Sequence, residues 1–336
     1  MRRLAVLLLA GVVAAAAVGA WAAREALRPA AATGEPVLFV VAEGAGLRRV
    51  AGDLAAAGLV RSARAFEWLG RWHGAQDQLR SGEYELRASE APLAILETIR
   101  AGRVKVWDVA VPEGLTAVEI AARVEAAGLA SGAAFLAVVR DPASPARYGV
   151  EGPGLEGYLF PETYHLARGL AAEEVVAAFL AQFRAVWEPL APAAAARGLS
   201  MRQAVTLASI VEKETAVPAE RPLVAAVFHN RLRLGMRLET DPTVIYGIEA
   251  FDGNLTRAHL EDVSNRYNTY RIAGLPPGPI ANPGAGALAA TVEPAASDAL
   301  FFVSRNDGTH VFSRTYREHV GHVRRFQVRR GGDGER

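Results

Sequence analysis

Two carboxylates at the end of an apolar helical run are the residues of this sequence best suited to chemistry. Residues 207–215 read Leu-Ala-Ser-Ile-Val-Glu-Lys-Glu-Thr, which places Glu212 and Glu214 after the apolar part. Burial disfavours the charged form of a carboxyl group and raises its pKa, so the group can hold a proton near neutral pH. A protonated acid can give that proton to a leaving oxygen, which would suit sugar chemistry if neighbouring segments supply a groove.

Helical spacing leaves the choice between the two acids open. The pattern predicts a helix over residues 200–216 with a serine as its N-cap. Glu212 lies one turn beyond Ala208, on a strip of small side chains that lets a ligand approach closely. Glu214 lies beyond Ile210 on the apolar strip. The alternative for either acid is a solvated carboxylate at the end of a helix.

Three segments follow the acid helix, and the last of them carries polar and aromatic residues of the kind that line a sugar-binding groove. Residues 227–232 predict a second helix, and residues 236–247 follow it. Residues 267–283 are too rich in Pro and Gly for the interior of a helix or strand, so we expect an ordered loop. Amides and hydroxyls can bond to sugar hydroxyls while aromatic faces cover the ring; the alternative is an irregular wall around the core. Asn268 and Tyr270 are such residues in this loop.

The residue types indicate neither a cofactor nor a metal. The chain has no cysteine, which excludes disulfides, thiolate catalysis and Cys-ligated metals. Its seven histidines do not form a His-Glu-x-x-His motif. Residues 152–157 match the dinucleotide pattern Gly-x-Gly-x-x-Gly only formally, because Pro153 lies inside it and Tyr-Leu-Phe-Pro follows where a helix should begin. A formal net charge of +1 offers no strong field for nucleic acid.

The N-terminus predicts export. Arg2 and Arg3 precede an uncharged run at residues 4–23, whose roughly 20 residues are enough to cross a bilayer as a helix. Arginines before the run favour a cytoplasmic N-terminus, although two more arginines just after it weaken that bias. The alternative is a cleaved signal peptide, because residues 20–22 resemble a cleavage site. We expect a single-pass anchor, and the rest of the chain is exported in either case.

Two segments of the first half align without gaps at an offset of 70 residues. Residues 41–59 and 111–129 both have a Glu-Gly pair near their start and both end in Ala-Gly-Leu. Each copy follows a β-branched run, so the pattern predicts a strand, a tight turn and a helix that is closed by glycine. This order resembles the LysM-like modules of cell-wall proteins. A plain α+β spacer is the alternative.

Several long motifs in a fixed order carry a resemblance over essentially the whole chain. They are residues 156–164, 207–215, 230–232 with 236–247, and 267–283. In this order they closely resemble the endolytic murein transglycosylase family (MltG-type, YceG-like). The resemblance implies an enzyme of the inner membrane with one membrane helix and a periplasmic catalytic domain, which cuts nascent peptidoglycan strands internally. Glu162 is a mild departure, since aspartate is also expected there.

The resemblance also assigns roles to the candidate residues. Glu212 matches the catalytic glutamate of the family, and Glu214 belongs to the same motif with a less certain role. Asp241, Asn268 and Tyr270 match motif residues expected in the groove, and Asn230, the first residue of the shared run 230–232, is a further possible substrate-binding residue. Ordinary glycosidases use two carboxylates, whereas a lytic transglycosylase can work with one. We therefore expect Glu212 to protonate the glycosidic oxygen and then to deprotonate the muramoyl C6 hydroxyl, which closes a 1,6-anhydro ring.

The resemblance and the patterns together predict an α+β chain. Its parts are a cytoplasmic stub (1–3), a transmembrane helix (4–23), a linker (24–36), a LysM-like module (37–104), a second LysM-like repeat leading into the catalytic domain (105–150), a mixed α+β catalytic transglycosylase domain (151–325) and a charged tail (326–336). The catalytic domain is expected to carry a lysozyme-like acid site on a helix. Residues 300–314 predict a β-hairpin within it.

The expected partners are peptidoglycan glycan strands, the inner membrane and membrane-embedded peptidoglycan synthases, with no nucleic acid and no cofactor. The synthase rests on the resemblance alone. Two other functions stay open. One is a muramidase that uses water, with Asp241 as its second carboxylate. The other is a non-catalytic, membrane-anchored protein that binds wall glycan.

Overall fold

The structure is a computed structural model that describes residues 2–328, and side chains over residues 9–327. By its internal contacts the chain forms two compact units. The N-terminal unit comprises the residues up to Trp107 with His165–Gly169, and the C-terminal unit comprises the remainder.

The predicted stub and tail are described only in part. Met1 of the stub and residues 329–336 of the tail lie outside the described residues. The rest of the chain confirms the predicted mixed α+β architecture with one N-terminal apolar helix.

Helix α1 spans Arg2–Ala26. Within the described chain it is the one helix long and apolar enough to cross a membrane, over Leu9–Ala26, and no residue of that stretch is buried. Its last turn is tied to the N-terminal unit, because the Glu25 carboxylate pairs with Arg28 at 2.9 Å and with Arg61 at 2.8 Å. The helix therefore ends against folded protein.

The N-terminal unit has two helices between two paired strands. Its elements are β1 (Val37–Val41), α2 (Leu47–Ala56), α3 (Ala63–Trp72), β2 (Gly82–Leu86) and α4 (Pro92–Ala101). β1 and β2 are antiparallel, with Phe39 opposite Tyr84. The side chains of these two residues are buried, together with those of Leu54, Phe66 and Ile95. Alternation along the strands therefore fills a small core of its own.

Both repeat copies have the same local structure. The second consists of β3 (Val106–Ala110) and α5 (Ala117–Ala126). Gly44 and Gly114 in the two Glu-Gly turns have φ of +69° and +78°, a region open to glycine at little steric cost. The copies differ at the start of the helix: α2 has no side-chain cap, whereas the Thr116 hydroxyl caps α5.

Except for residues 165–167 at the end of one strand, which belong to the N-terminal unit, the C-terminal unit contains the remaining elements. They are α6 (Gly132–Arg140), α7 (Ser144–Tyr148), β4 (Thr163–Ala167), α8 (Ala172–Trp187), α9 (Ala191–Ala196), α10 (Met201–Glu214), a 3₁₀ turn (Pro218–Glu220), α11 (Arg221–Arg233), α12 (Asp241–Tyr246), α13 (Arg257–Glu261), α14 (Ala285–Val292), β5 (Phe301–Ser304), β6 (His310–Ser313) and α15 (Tyr316–Val323) with a terminal turn (Arg324–Val328). β3 pairs with β4, and β5 with β6 in the hairpin predicted for residues 300–314.

Helix α10 lies in the core of the C-terminal unit. Its N-cap is Ser200 as predicted, and its residues 204–211 are all buried. The hydroxyl of Ser209 donates to the Thr206 carbonyl and accepts from the Ile280 amide, so a polar residue is accommodated inside. The helix ends two residues earlier than predicted, because Thr215 is in extended conformation. A helix buried all round thus carries its last turn, with both acids, into a protein environment.

We expect Phe135→Ala to destabilise the C-terminal unit by about 3–5 kcal/mol, since the ring is fully buried and lies edge-on to Phe179 at 5.9 Å. Hydrogen exchange of the amides of α6 and α8 measures the loss. Val118→Ala, whose side chain is 51% exposed, is the control and should change the free energy by less than about 0.5 kcal/mol. Equal exchange in the two variants would contradict the described packing.

Candidate active site

Glu212 is buried at the end of α10 with a partner for each carboxylate oxygen. Its side chain is 6% exposed. Oε1 accepts a hydrogen bond from Arg221 Nη2 at 2.8 Å, and Oε2 accepts one from the Gly284 amide at 3.0 Å. The carboxylate is therefore removed from water while both of its oxygens remain hydrogen-bonded.

Arg221 connects Glu212 to a second carboxylate. This first residue of α11 also donates through Nη2 to Glu113 Oε2 at 2.9 Å. Glu113 comes from the Glu-Gly turn of the second repeat copy, and its side chain is 45% exposed, against 12% for Arg221. One guanidinium nitrogen thus lies between a buried and an exposed carboxylate.

Glycines let backbone approach this group closely. Gly284 precedes α14, and a Cβ on it would lie 1.8 Å from Glu113 Oε1. A Cβ on Gly286 would lie 2.5 Å from Arg221 Nη1. A side chain at either position would therefore displace a charged partner of the site.

Burial dominates the electrostatics of Glu212. It raises the pKa of this carboxyl above the ordinary value of 4.5, although the Gly284 amide and Arg221 act in the opposite direction; Glu113 raises the pKa further. The group can hold a proton at higher pH than a solvated glutamate. After it gives that proton away, the amide and the guanidinium stabilise the carboxylate. Such a group can serve first as an acid and then as a base.

Glu214 belongs to a different cluster. Residues two apart on a helix point about 200° away from each other. Glu214 accepts a hydrogen bond from the Thr240 hydroxyl, and burial, followed by the nearby Asp241, raises its pKa. The Tyr270 hydroxyl donates to Asp241 Oδ1 at 2.7 Å. Glu214, Asp241 and Tyr270 therefore lie together, as one cluster of predicted residues. Glu212 is instead connected to Glu113 through Arg221.

The two predicted asparagines hold backbone in place. Asn268 is fully buried and donates through Nδ2 to the Asp262 carbonyl at 2.8 Å. Asn230 donates through Nδ2 to the Ser297 and Ala299 carbonyls at 2.9 and 3.0 Å. The sugar contact expected of each stays a prediction.

A groove of about 970 Å³ lies beside the acid helix, within the C-terminal unit. It is lined by Glu156, Lys213, Tyr246 and Tyr267, among others. The Lys213 ammonium donates to the Gly114 carbonyl at 3.3 Å, next to the turn that supplies Glu113. The groove thus has charged and aromatic side chains that suit a large polar ligand, and it includes Lys213, the residue next to Glu212 on α10.

Asn282 ties the groove to the acid. It is fully buried, and its Oδ1 accepts from the amides of Gly157 and Leu159 at 2.8 and 2.9 Å. Its Nδ2 donates to the Leu115 carbonyl at 2.9 Å and to Glu156 Oε1 at 2.7 Å. Gly284, which holds Glu212, follows two residues later. One amide side chain therefore joins its own segment to two others, at residue 115 and at residues 156–159.

Sequence reasoning did not single out Glu113, Arg221, Gly284, Glu156 or Asn282 as site residues. The sequence pattern predicts a turn at Glu113, and Glu156 belongs to a shared motif that predicts no role for it. The side-chain hydrogen bonds of these residues join positions 39–167 residues apart, except that Arg221 and Glu212 are 9 residues apart. Only the contact between Arg221 and Glu212 joins residues close enough in sequence to be predicted from local pattern. Within residues 2–328 no group of three or more His, Asp or Glu is placed to hold a metal ion.

The fold and the site define an acid–base protein with a buried carboxyl group next to a polar groove. A sequence model of the YceG-like family matches residues 39–325. The chain therefore belongs to the YceG-like family, as its motifs predicted.

Similar proteins support this assignment. An endolytic murein transglycosylase of Bacillus subtilis is 29% identical over 295 residues, which are 83% of this chain and 81% of that protein. An endolytic murein transglycosylase of Streptococcus pneumoniae is 28% identical over 84% of this chain, but this covers only 57% of the longer relative. The crystal structure of a yceG-like protein from Listeria monocytogenes has a TM-score of 0.59 at 29% identity, covering 86% of this chain and 99% of that one.

Removal of the guanidinium should raise the pKa of Glu212 further. In Arg221→Met the apolar stem remains but the charge that favours the carboxylate is lost. Carbon-13 NMR titration of labelled glutamate carboxyls, assigned with Glu212→Gln, measures the change. A folded-state pKa above the unfolded value means that the free energy of unfolding falls as pH rises from 4.5 to the folded pKa, and this decline should extend to higher pH in the variant.

The control for this titration is Arg257→Met, which removes an arginine that is 89% exposed on α13. It should leave the titration of Glu212 unchanged. An unchanged titration in Arg221→Met would show that the guanidinium does not act on the acid.

Proposed function

We propose that this chain is an endolytic peptidoglycan lytic transglycosylase. It cleaves the β-1,4 bond between N-acetylmuramic acid and N-acetylglucosamine and forms 1,6-anhydro ends, which limits the length of nascent strands. The observation that carries the proposal is the buried Glu212 carboxyl, held between the Arg221 guanidinium and the Gly284 amide. The similar proteins named endolytic murein transglycosylase support it.

The first step uses Glu212 as a general acid. Its proton goes to the glycosidic oxygen, the bond from that oxygen to C1 of the muramoyl residue breaks, and the electron pair leaves with the oxygen. Positive charge then spreads over C1 and the ring oxygen. The raised pKa of Glu212 keeps a larger fraction of the enzyme in the proton-donating form.

The second step uses the same group as a base. The Glu212 carboxylate takes the proton from the C6 hydroxyl, and O6 bonds to C1, so a 1,6-anhydro ring forms without consuming water. Between the two steps the negative charge on Glu212 is stabilised by Arg221 and the Gly284 N–H. One carboxylate thus completes a proton cycle.

Hydrolysis is the alternative outcome. It would require a second carboxylate that activates water. Asp241 is hydrogen-bonded to Tyr270 in the cluster that contains Glu214, and not in the cluster that contains Glu212. Its position therefore favours the route with one carboxylate. If the products carried reducing ends instead, Glu113 would be the first candidate for the second carboxylate, because it shares Arg221 with Glu212.

The proposal also covers the location of the chain in the cell and the role of each of its segments. Helix α1 anchors the chain in the cytoplasmic membrane with the N-terminus inside, and the catalytic domain (151–325) lies in the periplasm near membrane-embedded peptidoglycan synthases. Arg2 and Arg3 before the apolar run support this orientation. Segments 37–104 and 105–150 act as LysM-like modules, which the shared strand–turn–helix structure of the repeat copies supports.

Glycan binding by the N-terminal unit has an observation of its own. Trp68 and Trp72 on α3 are 55% and 74% exposed, and their rings stack at 5.5 Å with an angle of 26°. Exposed indole faces can cover the apolar faces of sugar rings. We therefore propose that this pair binds wall glycan and so keeps the enzyme on its strand.

Glu212→Gln should reduce the rate of glycan cleavage by at least about 10²-fold, because the amide has no acidic proton to give. Mass spectrometry of sacculus digests checks this: the wild type should yield 1,6-anhydro ends, which are lighter than reducing ends by one water. Glu214→Gln is the matched control from the same helical turn and should still yield them. Loss of the product in Glu214→Gln alone would move the acid role to Glu214.

Replacing both indoles by alanine (Trp68→Ala with Trp72→Ala) should weaken binding to purified sacculi about thirtyfold, since each ring contributes on the order of 1 kcal/mol and each 1.4 kcal/mol is about tenfold in Kd. The assay uses the full chain in detergent with Glu212→Gln, so that the glycan is not cut. Leu93→Ala, with a side chain 40% exposed on α4, is the control and should bind as the parent does. Unchanged binding of the double variant would contradict the role of the pair.

A further inference from the structure

We propose that Glu156 and Tyr246 form a proton-controlled contact in the groove: when Glu156 is neutral, the Tyr246 hydroxyl donates to the glycan, and when Glu156 is charged, it does not. This inference rests on the proposed function. It assigns a binding residue and the positioning residue that controls it.

The first carboxylate oxygen of Glu156 is engaged by fixed donors. Oε1 accepts from the Ala117 amide at 2.9 Å and from Asn282 Nδ2 at 2.7 Å. Ala117 is the first residue of α5, and Asn282 is fully buried. Neither donor can turn away, so this oxygen remains an acceptor in both protonation states, and a proton on Glu156 has its place on the other oxygen.

The second oxygen faces a partner that can change role. Oε2 accepts from the Tyr246 hydroxyl at 3.2 Å. The Ala117 N–H is shared between the two oxygens, and its distance to Oε2, 3.1 Å, is longer than its 2.9 Å to Oε1. A phenol hydroxyl can donate or accept, whereas an amide N–H can only donate. Tyr246 is half-buried at the end of α12 and lines the groove, with its ring 4.8 Å from that of Tyr267.

Proton positions follow from this geometry. With Glu156 charged, the Tyr246 O–H donates to Oε2, so the hydroxyl offers the groove only a lone pair. With Glu156 neutral, the proton on Oε2 is donated to the Tyr246 oxygen, and the hydroxyl hydrogen is free to point into the groove. There it can bind the carbonyl oxygen of an N-acetyl group or a ring hydroxyl of a glycan. No other atom has to move.

The charges around the pair set the pH range. Burial raises the pKa of Glu156 to about 7, with Glu119 acting in the same direction and the three hydrogen bonds in the opposite one. Burial and the neighbouring Glu156 also raise the pKa of Tyr246, so the phenol stays protonated throughout. The charged or titratable groups that face the pair from the packed elements are Glu119 on α5, Arg140 on α6, Lys213 on α10, Glu249 after α12, and Tyr267. No histidine is among the residues that line the groove.

The test measures glycan binding against pH in full-length protein that carries Glu212→Gln, so that the acid neither cuts nor titrates. The probe is a soluble oligosaccharide of alternating N-acetylglucosamine and N-acetylmuramic acid, and the readout is the Kd from calorimetry at about pH 5.5 and about pH 8.5. We expect the Kd to rise about threefold to tenfold at the higher pH, the value of one hydrogen bond.

Two variants separate the roles of the pair. In Glu156→Gln the amide carbonyl replaces Oε1 and the NH₂ donates to Tyr246, which fixes the neutral arrangement, so the Kd should be low at both pH values. In Tyr246→Phe it should be high at both. Tyr267→Phe lacks a hydroxyl in the same groove that does not contact Glu156, and it should keep the pH dependence of the parent.

The Kd measurements test the contact between Glu156 and Tyr246, and the digestion products test the proposed function. A Kd that does not change with pH in the parent, or pH dependence that persists in Tyr246→Phe, would overturn the inference, as would the absence of glycan binding. The wild type is digested with sacculi in parallel. If 1,6-anhydro ends form while the Kd is flat, only the inference fails; if they do not form while the Kd follows pH, only the proposed function fails.

Discussion

The C-terminal unit is organised around one carboxyl group that is removed from water and yet fully hydrogen-bonded. Helix α10 is buried on all sides before it reaches Glu212, so its last turn has protein around it. The cost of that burial is offset by Arg221 and the Gly284 amide, each of which favours the carboxylate. The site is therefore balanced: desolvation favours the proton-bound acid, and two fixed donors favour its conjugate base.

That balance depends on residues far apart in the chain. Asn282 fixes the segment that contains Gly284, and the same side chain reaches Glu156 in the groove wall. A displacement of this loop would thus change both the partner of the acid and the surface that meets a ligand. Acid and groove are two ends of one hydrogen-bonded network, which explains why polar residues are retained deep inside the unit.

Periodicity and local chemistry predicted the elements but not the convergence of side chains. The apolar run, the repeat, the hairpin and the acid helix are local patterns, and each is present in the structure. The sequence could not place Glu113 against Arg221 or bring Gly284 to Glu212, because those contacts depend on how the helices pack. Asn230 and Asn268 show the converse. Chain that leaves helices and strands has carbonyls without partners in regular structure, and these two amides donate to such carbonyls at Ser297 and Asp262.

The second copy of the Glu-Gly turn belongs to the surroundings of the acid as well as to the repeat. In the first copy Glu43 is exposed on the N-terminal unit, whereas in the second Glu113 meets the guanidinium that holds the acid. The same short turn therefore only reverses the chain direction in the first copy, whereas in the second it also places a carboxylate on the guanidinium that binds Glu212. A fragment that begins after Gly114 would contain Glu212 and Arg221 but would lack the Glu113 carboxylate that shares this arginine. A turn that looks accessory by sequence thus contributes to the charges around the proposed catalytic acid.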